Sequence, residues 1–258
     1  MRLYFKYFCI HLRSQMQYKK SFLLLTFAQF AVAFSGYITI YFLFSRFNSV
    51  KGFTYNEVLL CYALVLASFA LAECFFRGFD SFSSIISNGE FDRIMVRPRE
   101  IILQVLGQKI ELTRLGRLLQ AIIVLVLALP GAQIQWSPAK VAVMIVMIVS
   151  GTAVFSGLFM IYASFCFFTT EGLEFMNIFT DGGREFGRYP FSVYGNEVLK
   201  FYTYVIPLAL FQYYPLMYIT GQSDSPLYAL APLVAPVFLI PCAIFWRIGV
   251  RHYKSTGS

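Results

Sequence analysis

Charge is what this sequence has least of. Asp, Glu, Lys and Arg make up 13% of the 258 residues against 58% hydrophobic ones, too little polar surface to cover a water-soluble domain of that size. The chain therefore belongs in a bilayer. Histidine is nearly missing as well: His11 and His252 both lie near the ends of the sequence. No H-E-x-x-H helix, no G-x-S-x-G elbow and no G-x-x-x-x-G-K-[ST] loop occurs, so the usual metalloprotease, hydrolase and nucleotide-binding signatures are lacking. Any ATP-driven work falls to another chain. The five cysteines (Cys9, Cys61, Cys74, Cys166, Cys242) are odd in number and lie in apolar surroundings or near the N-terminus, which argues against a disulfide framework. They read as small buried hydrophobes. The opening residues lack an uninterrupted apolar run, because Arg2, Lys6, Arg13, Lys19 and Lys20 are interleaved with them, and no cleavable signal peptide is expected.

Long apolar runs are what the chain does have. A membrane helix needs about 20 residues, and six stretches meet or approach that length: 21–44, 57–77, 107–130, 139–167, 200–219 and 228–248. Glu111, Arg114 and Arg117 crowd the start of the third, whose charged end is expected to snorkel into the headgroup layer. Lysine and arginine set the orientation, since basic loops stay cytoplasmic. With the N-terminus inside, 18 of the 21 basic residues fall on inner segments, leaving Arg46, Lys51 and Lys140 outside. Both termini are then cytoplasmic. A basic rim facing anionic lipid also accounts for the net charge of +8 without any nucleic-acid partner. The fold expected is all-α, a single membrane domain over residues 1–258 with six spans.

Between the spans lie four features of note. In residues 1–20, Arg2, Lys6, Cys9, Arg13, Gln17 and Lys20 recur every three or four positions, the stripe of an amphipathic helix lying in the inner interface; a plain positive flank for the first span is the simpler alternative. Residues 84–100 sit between spans two and three, on the cytoplasmic side. There Asn88-Gly89 marks a turn, Pro98 stops a helix, and Phe91, Ile94, Met95 and Val96 intermix with Glu90, Asp92, Arg93 and Arg97. Either a short two-faced helix docks in a partner's groove there, or the loop is merely solvated. Residues 169–200 read as a second inner segment, a surface helix broken at Gly182-Gly183 and ended before Pro190. Finally, six prolines from Pro207 to Pro241 point to kinked or re-entrant helices near the outer face, ordinary kinking being the simpler outcome. Within the spans the one obvious ion pair is Glu73 with Arg77, at i and i+4, read as structural rather than as part of an ion path.

Three motifs in order carry a resemblance. "GEFDRIMVRPRE" (89–100) looks like G-x-[LF]-D-x-x-[LM]-x-[RK]-P; "RYPFSVYG" (188–195) followed by "VIPLALFQYYPLMYITG" (205–221) resembles a fifth-span region; and "FWRIGVRHYKSTGS" (245–258) resembles W-x-x-G/A-x-x-x-Y-x-S-x-G. In this order they resemble the membrane subunits of ATP-binding-cassette type 2 exporters, in the bacterial branch with six spans and both termini inside. The resemblance implies a permease of the bacterial plasma (inner) membrane that forms half of a translocation path. Its implied partners are two copies of an ABC ATPase subunit, which carry the ATP and Mg, and a second permease subunit, identical or homologous. It implies no cofactor and no catalytic residue on this chain. Gly89, Glu90, Phe91, Asp92, Arg93, Arg97 and Pro98 would form the coupling helix against the ATPase, and residues 1–20 the connecting helix beside it. Closure of the ATPase dimer would push the coupling helix and tilt spans two and five. A stand-alone channel or secondary carrier, and more remotely a membrane-embedded enzyme, are the competing classes. The 29 Phe and 17 Tyr suit an apolar or amphipathic cargo, but lipid-facing aromatics explain the same numbers.

Overall fold

The computed structural model describes residues 2–132, 134–169 and 174–255. The side chain of Arg2, Glu171 in the second inner segment and Gly257 in the final motif lie outside that description. Among the described residues the chain is built from thirteen α-helices and four short 3-10 turns, with no β-sheet. The helices are α1 Arg2–Gln17, α2 Lys19–Arg46, α3 Tyr55–Phe76, α4 Phe82–Ser87, α5 Glu90–Met95, α6 Ile101–Gln108, α7 Leu115–Gly131, α8 Pro138–Thr169, α9 Asn177–Phe186, α10 Asn196–Tyr204, α11 Leu208–Thr220, α12 Pro226–Val234 and α13 Leu239–His252.

Five segments are long and apolar enough to cross a membrane: Lys19–Arg46, Tyr55–Phe76, Leu112–Gly131, Pro138–Thr169 and Pro226–His252. Six were expected. The difference lies in 200–219, which is two helices rather than one. Pro207, which has no amide hydrogen to donate, caps α11, and α11 has only 13 residues, about 20 Å of helix against a hydrocarbon core of about 30 Å. The last span bends where the 3-10 turn Ala235–Phe238, containing Pro236, joins α12 to α13.

α3 is the axis of the bundle. It is buried from Glu57 to Cys74 with one half-buried exception, Leu71, and packs chiefly on α7 and α8. α2 stands at the periphery, with only Ala33, Gly36 and Ile40 buried. Its close approaches are made through glycine: the Tyr62 hydroxyl donates to Ala33 O at 2.6 Å, and a Cβ on Gly36 would strike the Tyr62 ring. Gly116 of α7 meets the Thr26 carbonyl of α2 in the same way.

Both chain ends gather at one end of the bundle, here the near end. Tyr4 of α1 donates to Phe75 O at 2.7 Å, His11 Nε2 lies 2.9 Å from Gly107 O, and Gln15 donates to Ile110 O at 2.8 Å. Burial, with the Cys74 side chain adding to it, pushes the Tyr4 hydroxyl up to about 12, so it stays protonated as that donor. At the same end Ser255 Oγ donates to Asp92 Oδ2 at 2.6 Å.

Residues 174–194 do not lie at the near end as a surface segment. They start beside Phe165, which meets Phe175 at 6.2 Å, pass mid-span where Gly187 O accepts from Cys61 Sγ at 3.4 Å, and reach the far end where Lys51 Nζ donates to Ser192 O at 3.3 Å. α9 also runs through Gly182-Gly183 instead of breaking there, and a Cβ on Gly183 would stand 3.0 Å from the tip of Leu208, close enough that the leucine would have to give way. α10 then turns back into the bundle and α11 returns to the far end, where Lys140 Nζ donates to Ile219 O at 2.9 Å and Gln222 Nε2 to Glu57 Oε1 at 3.3 Å. The pair is a helical hairpin, closed by a 3.2 Å contact between the Thr203 and Tyr214 hydroxyls, and Phe191 of the preceding turn stacks on Tyr202 at 4.5 Å.

Replacing Gly116 with valine puts methyl groups against the α2 backbone. Overpacking of this kind costs about 1–3 kcal/mol, so the G116V protein in detergent is expected to melt several degrees below the parent. G182A, whose added Cβ meets nothing closer than 3.7 Å, is expected to melt with it.

Candidate functional site

The near end carries α5, a short helix with an apolar inner face and a charged outer one. Gly89 takes a left-handed backbone (φ 68°) that starts α5, a conformation only glycine adopts without strain. Over its six residues Phe91 and Ile94 turn inward and are buried, while Glu90 and Arg93 are exposed and Asp92 is half-buried. Arg97 and Pro98 follow, exposed, beyond Met95 and Val96, the latter 83% exposed. Phe91 is the inward anchor. Its ring meets Phe82 of α4 at 5.4 Å, Phe167 of α8 at 5.1 Å and Tyr253 at 4.8 Å, mostly edge to face, the favoured geometry for aromatic pairs. Trp246 of α13 closes the group, at 5.1 Å from both Phe82 and Phe167 and 5.3 Å from Phe79. A displacement of α5 therefore bears on α8 and α13. The expected route, through spans two and five, is not the one these rings trace. Sequence reasoning did not connect Phe167, or Trp246 of the final motif, with α5, because they lie some 75 and 155 positions from it with no shared period.

Glu73 and Arg77 pair as expected, but not in isolation. The carboxylate is 1% exposed and receives three guanidinium groups: Arg77 on Oε1, Arg114 at 3.4 Å and Arg117 at 2.5 Å on Oε2. Arg77 also reaches Asp80 at 3.1 Å, and Glu111 binds Arg114 at 2.8 Å and Lys109 at 3.1 Å. One acidic residue thus ties the near end of α3 to that of α7. Burial pushes the Glu111 carboxyl up, but Arg77, Arg114 and Lys109 together outweigh it and hold the group below its ordinary value of 4.5. The basic residues that crowd the third span are consequently partners of Glu73 and Glu111 as well as headgroup anchors.

A further polar group lies where no charge was expected, at mid-span on α9. Arg184 contacts Glu185 at 2.6 Å and Asp181 at 3.6 Å, Arg188 contacts Glu185 at 2.6 Å, and the Arg184 guanidinium stands 5.0 Å above the Phe69 ring. Among the described residues no group of three or more His, Cys, Asp and Glu could hold a metal ion.

A sequence profile described as ABC-2 family transporter protein matches residues 30–257. The chain belongs to that family. No curated protein and no solved structure matches it. As an ABC-2 family member with several apolar helices, the chain is a multi-pass membrane protein of the permease type, a class of membrane subunit that is generally not enzymatic.

Two outcomes test this ABC-2 permease's ion-pair group. E73Q leaves one buried and two half-buried guanidinium groups short of their counter-charge, and losing one partner of a buried pair costs about 3–5 kcal/mol; E197Q, at the exposed Lys200 pair, is expected to shift thermal unfolding far less. Because the Glu111 pKa is lowered in the fold, its stabilisation is complete above the ordinary carboxylate pKa and disappears as pH falls through the lower folded value. Thermal unfolding followed from pH 7 to pH 3 is expected to show a loss below about pH 4.5 that is smaller in E111Q.

Proposed function

We propose that this chain is the membrane half of an ATP-driven exporter, with α5 as the element that takes up force from a separate ATPase. The observation that carries this reading is the construction of α5: charges outward at Glu90, Arg93 and Arg97, and one aromatic anchor inward at Phe91. A six-residue helix has too little hydrogen bonding to be stable alone in water. Here ring contacts rivet it to α8 and to Tyr253 just beyond α13, which suits it to transmit a push. Membership of the ABC-2 family supports the same assignment.

In this reading two such chains, identical or homologous, enclose the path and rest on two ATPase subunits, which supply ATP and Mg. The near end faces the cytoplasm of a bacterial cell, with α1 lying in the inner leaflet interface. Its outward residues Phe5, Lys6, Ile10 and Arg13 combine greasy and basic side chains, as an interfacial helix on anionic lipid requires. The ATPase dimer closes and presses α5; the aromatic group passes the movement to α8 and α13. Rigid-body rocking of packed helices is a known form of such a transition.

Co-purification tests the assignment. The full chain, tagged and purified from its native membrane, is expected to bring down an ABC ATPase subunit, and the triple variant E90Q/D92N/R93Q to lose it while remaining monodisperse. Undiminished recovery with the variant, or transport by the reconstituted chain alone under an ion gradient, would overturn the reading in favour of a stand-alone carrier.

A further inference from the structure

Between α2, α3 and α9 lies a cavity of about 230 Å³, lined by Val32, Ala33 and Ser35, by Tyr62, Val65 and Leu66, and by Arg184, Glu185 and Arg188. Tyr62 to Leu66 occupy the middle of the 22-residue α3, so the charged wall stands at mid-span. Ionisable groups at that depth are expensive unless they are paired or have a task. Pairing accounts for only part of this group. Glu185 is shared by two guanidiniums, Arg184 Nε is buried without a hydrogen-bond partner, and Asp181, 3.6 Å from Arg184 and mostly exposed, does not line the cavity, whose own three charges leave one positive in excess. Arg117 adds positive charge below them, already engaged by Glu73.

We propose that this cavity binds the anionic head, phosphate or carboxylate, of an amphiphile. Arg184 and Arg188 form charge-assisted bonds to the head, as guanidinium groups do with both anions. Glu185 is the internal competitor that holds the two side chains in place when the cavity is empty of anion. Val32, Ala33, Val65 and Leu66 receive the first carbons of the chain. The volume falls short of the roughly 300–1,000 Å³ that enclose a whole drug-sized ligand, so the cavity takes a head and not an entire molecule. The proposal rests on the reading of the chain as a permease, because only there does an amphiphile become cargo; the binding itself requires no ATPase.

The test uses the full chain in phosphatidylcholine nanodiscs, titrated calorimetrically with hexyl phosphate and with hexanol, empty discs serving as reference. Hexyl phosphate is expected to bind saturably and hexanol not. Loss of a charge-assisted pair is expected to weaken hexyl phosphate binding about tenfold or more in R184Q and in R188Q, with partial recovery in R188K. E185Q is expected to bind more tightly, a gain that misfolding does not produce. Equal heats from both probes, unchanged affinity in R188Q, or no gain in E185Q each overturn the proposal. Native mass spectrometry distinguishes the source of the head. Phosphatidylglycerol retained on purification and displaced by hexyl phosphate identifies a resident lipid; a chain free of bound lipid that binds hexyl phosphate identifies the site as one for cargo. Failure of anion binding with the ATPase still co-purifying removes this site and leaves the exporter reading intact; loss of the ATPase with binding retained does the reverse.

Discussion

The structure depends on one carboxylate. Glu73 sits at the near end of the most deeply buried helix, where a lone ionised group would be costly, and three arginines from two elements converge on it. Each arginine taken alone would repel the others. The shared anion turns that repulsion into a joint, because α3 and α7 cannot separate at this end without stripping charge from charge. Arg77 extends the joint to Asp80, and Arg114 to Glu111, so the turns before α4 and before α7 are held by the same group. The α1 strap lies over it, bonded to the backbone at Phe75, Gly107 and Ile110. Above that level, the far two-thirds of α3 is held chiefly by apolar contacts with α7 and α8, with hydrogen bonds at Glu57, Cys61, Tyr62 and Ser68 added to them.

Apolar length was legible in the sequence wherever a helix was long and nearly free of charge. The runs 21–44, 57–77, 139–167 and 228–248 each fall within or beside a segment able to cross a membrane, because about 20 greasy residues in a row have few other uses. The stretch 169–200 was misread for the opposite reason. Asp181, Arg184, Glu185 and Arg188 look like a solvated face in one dimension, and only the fold shows that they pair with one another within two helical turns. Periodicity carries no information about mutual pairing. The same blindness hid the arginines around Glu73, whose spacing to one another along α7 reads as a headgroup flank.

The α5 region was legible as a turn, a short helix and a proline stop, since Gly89 and Pro98 punctuate it chemically. What its apolar residues touch was not. Phe91 meets side chains from α4, α8 and the segment after α13, brought together by the whole topology rather than by any local rule. The proline-rich last third lay between these cases. Pro207 and Pro236 both fall at interruptions, but one separates the arms of a hairpin and the other merely bends a span. The difference comes from what surrounds each: Gln212, just beyond the first, donates to the Gly187 and Tyr189 carbonyls at 3.3 and 3.0 Å and fastens its arm to the ascending segment.

α8 has 32 residues, about 48 Å at 1.5 Å each, and outreaches the hydrocarbon layer by more than a third. It crosses α3 closely near its middle, where Gly151 abuts Ser68 and the Thr152 hydroxyl donates to Ser68 O at 3.2 Å. Mechanically this is a beam on a fulcrum. Phe167 stands about 24 Å to one side of the pivot and Pro138 about 20 Å to the other, at the same rise per residue. With arms so nearly equal, a tilt that carries the Phe167 end one way carries the Lys140 end almost as far in the opposite sense, without amplification and with little loss.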